Sequence, residues 1–258
     1  MNARENNWTG QLVVGMVMFF LVAALSNAQM ILIDDFDDGN DDGWTHYVLP
    51  EADAPWGPGI FDASSGAYNL KTTSEVAVGT AGGVASVWDA SADPSYTDGY
   101  LRATIRSESG GANAALWLRA NPVDGGTYIF TTTIFGGLDV WDCTVAGCRY
   151  LGGREGIGFT RGEDWIMEAG AVGDVLSLKM WREGDPEPDL PQFNFRDSAN
   201  STGQFGVWSF IGSNWQEPAQ ANAFFDDIYF TPIPEPSSAL LIGLGFLGLA
   251  VGRRRLSL

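Results

Sequence analysis

Between Gln29 and Thr231 no stretch of the sequence repeats apolar residues every 3.6 positions. Short runs rich in Val, Ile, Thr and aromatic residues stand there instead, punctuated by Gly, Asp, Asn and Pro. Residues 100–106 show the rule: Leu101, Ala103 and Ile105 alternate with Arg102, Thr104 and Arg106, the two faces of a half-buried strand. The same pattern predicts strands at 31–36, 67–70, 84–88, 100–107, 114–120 and 127–135. Further strands are expected at 138–143, 148–151, 164–169, 175–181, 205–210 and 223–230. So many short strands, joined by turns such as Asp124-Gly125-Gly126 and Gly136-Gly137, predict an all-β fold of two packed antiparallel sheets. No Pro/Ser-rich linker divides the region, which reads as one β-sandwich domain.

Both ends of the chain break this pattern. Residues 13–25 (VVGMVMFFLVAAL) are uncharged, yet fewer than the about 20 needed to span a bilayer. Ser26, Asn27 and Ala28 follow, with small residues where a signal peptidase requires them. Residues 1–28 are therefore expected to be a cleaved signal peptide, and Gln29 the first mature residue. At the other end Pro234-Glu235-Pro236 precedes Ser237-Ser238, an apolar run at 239–252 (ALLIGLGFLGLAVG) and Arg253-Arg254-Arg255. These three parts in this order resemble the PEP-CTERM sorting tail of Gram-negative, often biofilm-forming bacteria. The resemblance implies transient residence in the inner membrane, with the arginines on the cytoplasmic side. It also implies recognition by an exosortase-type enzyme, cleavage near Pro234-Glu235-Pro236, and release to the cell surface or extracellular matrix. An uncleaved tail anchor is the alternative. The expected organisation is a signal peptide at 1–28, a sandwich at 29–231 and a sorting tail with a short transmembrane helix at 232–258.

Charge narrows the partners. The chain has 32 acidic and 14 basic residues, a formal charge of −18. Nucleic acid is excluded as a partner, because phosphate contacts need clustered Lys and Arg. A single histidine, His46, argues against a His pair or a Ser-His-Asp triad, and two cysteines cannot supply a four-thiolate zinc site.

Within the sandwich region, Asp34-Asp35-Phe36-Asp37-Asp38-Gly39 with Gly43-Trp44 resembles the first strand of concanavalin A-like (laminin-G-like) jelly rolls. Residues 165–181 are similar to their paired strands joined by a short Val-Gly-Asp turn. Gly203-Gln204-Phe205-Gly206-Val207 and Phe225-Asp226-Asp227-Ile228 resemble the later strands. The resemblance implies that the first and last strands lie side by side.

Several residues are candidates for chemistry. Cys143 and Cys148 frame a four-residue loop between two strand-like runs and predict a structural disulfide. Asp38, Asn40 and Asp42 match the first half of an EF-hand calcium loop, but Leu49 stands where the bidentate glutamate belongs. A spatial route to structural calcium remains if the terminal strands bring Asp35 or Asp37 near Asp226 or Asp227. The alternative is a solvated acidic turn. Trp56 and Trp215 sit in loop-like segments and are candidate sugar platforms or end-closing rings. Trp117, Trp141, Trp165, Trp181 and Trp208 lie within strands, where core packing is the default. Paired glycosidase carboxylates find their nearest stretch at 163–168, whose spacing does not alternate onto one face. The sequence thus predicts an exported, non-catalytic surface or matrix protein that adheres to extracellular polysaccharide. A secreted glycan-active enzyme is the alternative.

Overall fold

The computed structural model describes residues 29–49, 57–108, 110–121, 125–144 and 146–233. The expected signal peptide, Trp56, and the tail with Pro234, Glu235, Pro236, Arg253, Arg254 and Arg255 lie outside the described residues. In chain order the strands are β1 (Ile31–Asp34), β2 (Trp44–Leu49), β3 (Ile60–Asp62), β4 (Tyr68–Lys71) and β5 (Gly82–Trp88). They continue as β6 (Gly99–Ser107), β7 (Ala112–Ala120), β8 (Thr127–Thr132), β9 (Leu138–Thr144) and β10 (Gly147–Arg154). The last are β11 (Trp165–Val172), β12 (Val175–Arg182), β13 (Phe193–Arg196), β14 (Gln204–Ile211) and β15 (Asn222–Pro232). They form an eight-stranded sheet in the order β13-β12-β11-β6-β15-β4-β3, with β1 also paired to β15, and a seven-stranded sheet in the order β10-β9-β8-β7-β14-β5-β2. Every pairing is antiparallel, and the chain passes repeatedly from one sheet to the other: the connectivity is a jelly roll.

Alternation decides what each strand gives to the core. From β6 and β11, Leu101, Ile105, Met167 and Ala169 point inward. They meet Val84, Leu116, Phe130 and Val207 of the seven-stranded sheet in one cluster of buried side chains. Burying such large apolar surfaces is the dominant stabilising contribution.

The structure adds three strands that the pattern does not announce, β2, β3 and β13, all short or near an edge. The run expected at 127–135 stops at Thr132. The Thr133 hydroxyl there accepts hydrogen bonds from the backbone N–H of Phe135 (3.3 Å) and Gly137 (3.0 Å), which starts the turn. β15 runs one residue past Thr231, and the Ile233 N–H donates to the Asp98 carbonyl at 2.9 Å, so Met30–Ile233 is the compact unit.

At the β9–β10 hairpin, polar groups tie the seven-stranded sheet to the segment after β13. Cys143 and Cys148 are directly paired across β9 and β10 and form a disulfide. Next to them Arg149 bridges the buried carboxylates of Asp142 (2.8 Å) and Asp197 (2.6 Å). The Tyr128 hydroxyl donates to Asp197 at 2.7 Å, and burial pushes that phenol up to about 12.

Candidate functional site

The acidic start of the domain folds as a series of turns in which carboxylates and an amide accept from backbone N–H groups two residues on. Asp34 accepts from Phe36 (2.9 Å), Asp35 from Asp37 (3.3 Å), Asp38 from Asn40 (3.1 Å), and the Asn40 amide oxygen from Asp42 (2.9 Å). Phe36, in the left-handed region at φ 50°, is fully buried and stacks on Tyr68 at 4.8 Å. Asp34 also accepts from the Trp44 indole (2.9 Å), and burial raises its pKa. Asp41 receives the Tyr68 hydroxyl at 2.9 Å and lies 2.7 Å from His46 Nε2.

β1 does pair with β15, Asp34 opposite Ile228. β15 bulges between Asp226 and Tyr229, with Asp227 at φ 48°. Partial burial first, and then the charges of Asp227, Asp37 and Asp35, push the Asp226 carboxyl up to about 6. The junction therefore gathers the four aspartates named from the sequence. Among the described residues, however, no three His, Cys, Asp or Glu side chains are grouped so that they could hold a metal ion. Asp38, Asn40 and Asp42 are engaged in the turn series.

Trp215 lies against Gly110 and Gly111 and packs with Val76, Ala112 and Ile211, closing one end of the sandwich. Trp165 and Trp181 belong to the eight-stranded sheet, and Arg102 sits 5.0 Å over the Trp181 ring.

Trp165 packs in the main core, whereas Trp181 faces outward, and the strand tryptophans of the seven-stranded sheet also depart from the core default. Inward residues of β7 are Ala114, Leu116 and Leu118, so Asn113, Ala115 and Trp117 point away from the main core. Register then places Gly206, Trp117, Ile129, Trp141 and Tyr150 in one row across β14, β7, β8, β9 and β10. A second row carries Tyr47, Ala85, Trp208, Ala115, Thr131 and Asp139, and a third sets Phe210 opposite Asn113. Trp208 stacks on Phe210 at 4.0 Å and meets Trp117 at 5.5 Å, while Trp141 and Tyr150 meet at 4.9 Å. Together they form a second apolar layer on the outward face of the seven-stranded sheet, with Trp208, Phe210 and Trp141 half-buried and Tyr150 53% exposed. Three buried polar atoms of this face, Trp117 Nε1, Trp208 Nε1 and Asn113 Oδ1, have no hydrogen-bond partner. In native proteins such groups are few, and each calls for a physical account. Asp139 is the acid in these rows; burial, then the charge of Glu155, raises its pKa.

The outward face of the eight-stranded sheet differs. The register row Tyr229, Arg102, Glu168, Lys179 spans β15, β6, β11 and β12. Glu168 is ion-paired with Arg102 and stands 3.6 Å from Lys179, and Glu187 joins Arg102 at 2.9 Å and Lys179 at 2.6 Å. Arg106 pairs with Glu108 and Asp164, and Arg182 with Glu163. The acids at 163–168 are thus held by cations on this face. An open pocket of about 410 Å³ there is lined by Tyr100, Glu168, Ser177, Lys179, Asp189 and Asn194, among others.

Comparison with known proteins agrees with both parts of the molecule. The PEP-CTERM protein-sorting motif matches residues 232–255. No curated protein matches the sequence. Among solved structures, a lichenase (β-1,3-1,4-glucanase) derived from a mouse hindgut metagenome is 11% identical, with a TM-score of 0.54 over 80% of this chain and 100% of that one. The β-glucanase of Bacillus licheniformis is 9% identical, with a TM-score of 0.52 over 81% and 100%. The laminarinase of Rhodothermus marinus is 13% identical, with a TM-score of 0.51 over 80% and 99%. At these identities the likeness is one of fold. The chain carries a PEP-CTERM sorting motif, which implies export and exosortase processing, on a body that is a concanavalin A-like jelly roll.

Proposed function

We propose that the exported jelly roll is a non-catalytic surface or matrix protein that binds polysaccharide through the outward face of its seven-stranded sheet. The carrying observation is the chemistry of that face. Trp208, Phe210, Trp141 and Tyr150 offer aromatic surfaces for the apolar C–H faces of sugar rings. Trp117 Nε1, Trp208 Nε1 and Asn113 Oδ1 are buried within this layer, so what the surface presents is its ring faces.

A second reading, a glycan-active enzyme, has one observation in its favour. Asp139 lies on this face with its pKa raised and the Glu155 carboxylate close enough to contribute to the shift. A carboxyl of raised pKa beside a second carboxyl group is the pairing that glycoside hydrolysis uses. A glycan array probed with the exported protein, with and without calcium, tests binding. A reducing-sugar assay on each bound glycan tests catalysis. The binder reading expects retention without release of reducing ends; turnover that Asp139→Asn abolishes would replace it with the enzyme.

A further inference from the structure

We infer that the glycan bound on this face is uncharged, a neutral hydroxyl-rich chain and not an anionic polysaccharide; this rests on the binding reading above. Three observations point the same way. First, the outward rows of the seven-stranded sheet, traced through β2, β5, β14, β7, β8 and β9, contain no Lys or Arg among the described residues. Recognition of carboxylate or sulfate groups draws on guanidinium or ammonium donors, and this face has none.

Second, edge strand β10 adds no cation to these rows. Its outward positions are Cys148, Tyr150 and Gly153, while Arg149 and Arg154 stand opposite the inward positions Asp142 and Leu138. Arg149 is held by Asp142 and Asp197, and Arg119, almost fully buried, is held by Asp98 at 2.6 Å. Third, the charge present has the wrong sign for a polyanion. Asp139 stands in the Trp208 row, Glu155 is beside it, and the whole chain carries −18. An approaching uronate or sulfate would meet like charge and lose its water without a compensating cation. A neutral chain would instead lay the C–H faces of its sugar rings on the half-buried rings of Trp208, Phe210 and Trp141, with no charge to strip of water.

Affinity electrophoresis in native gels tests this with two matched pairs of polymers: hydroxyethylcellulose against carboxymethylcellulose, and dextran against dextran sulfate. Each pair keeps the backbone and sets neutral groups on it against anionic ones. The expected result is retardation by at least one neutral polymer and by neither anionic partner. Trp208→Ala should weaken that retardation about tenfold or more. Phe210→Ala serves as a second variant, each checked for an unchanged fold by a thermal melt. Equal or stronger retardation by an anionic polymer, still abolished by Trp208→Ala, overturns the neutral class and leaves the site standing. Retardation by none of the four, or retardation indifferent to both substitutions, overturns the site as well.

Discussion

Across the eight-stranded sheet the outward row Tyr229, Arg102, Glu168, Lys179 alternates charge, and each ionic group has found its partner on the same surface. Across the seven-stranded sheet the row Tyr47, Ala85, Trp208, Ala115, Thr131, Asp139 alternates large and small residues, and indole N–H groups are left over. Both faces hang on the same jelly roll, so the fold does not decide the difference; the residues at outward positions do. A row whose ions are mutually paired is complete in water and gains little from a partner. A face of stacked, half-buried rings has free energy to gain when the C–H faces of sugar rings cover it.

The comparison can be broken first on the aromatic side. Trp117 is 3% exposed and supports Trp208, so Trp117→Ala should cost about 3–5 kcal/mol in chemical denaturation. A cost below about 1 kcal/mol would mean that the outward layer is not packed as described. Removing the disulfide with Cys143→Ser/Cys148→Ser should cost about 2 kcal/mol, the loop-closure value for so short a loop. It should also speed hydrogen exchange at Ala199 and Asn200, whose N–H groups depend on Asp197 and Tyr128. Exchange unchanged there would separate the hairpin from the polar tie.

On the charged side smaller effects are expected. Glu168→Gln should cost about 1–2 kcal/mol, with much of the difference erased in 1 M salt, because the row is partly open to solvent. A salt-independent cost would contradict the reading of that face as a screened ion-pair network.

The smallest effect concerns the junction of β1 and β15. In the fold the Asp226 carboxyl is pushed up to about 6 from an ordinary 3.8. Its protonated form is therefore favoured by folding, and that stability is present below pH 3.8 and lost as pH rises through about 6. Asp226→Asn should raise Tm slightly at pH 8, and the gain should vanish near pH 3.5. A gain that is constant with pH would remove carboxylate crowding as its cause. The same melts test structural calcium at Asp35, Asp37, Asp226 and Asp227. Calcium bridging these groups would raise Tm above its value in EDTA, and Asp227→Ala would cancel the rise. Equal melts with and without calcium leave a solvated acidic junction.

Much of the sandwich is legible in the alternation along strands such as β6, where inward residues are apolar and outward ones charged. β2 and β3 escape as edge strands, β3 only three residues long, and β13 because it follows a proline-punctuated loop. The disulfide is legible from its spacing and so is the meeting of first and last strands, through the resemblance that suggested it. The aromatic face is not. Every position of β7 from Ala112 to Ala120 is buried on both sides, so no polar alternation marks which way Trp117 points. In β14 the sequence Phe205-Gly206-Val207-Trp208-Ser209-Phe210 is apolar in both parities. Only the cross-strand register, which a single sequence does not contain, joins Trp117, Trp208 and Trp141 on one surface.

The most direct test is a calorimetric titration of a glycan retained on the array into three proteins: the parent, Trp208→Ala, and a triple variant with Arg102→Gln, Glu168→Gln and Lys179→Gln. The two faces are thereby altered separately. The account predicts that Trp208→Ala loses at least tenfold in affinity while the triple variant binds as the parent does. Retained binding by Trp208→Ala together with loss in the triple variant would place the site on the charged face and contradict it.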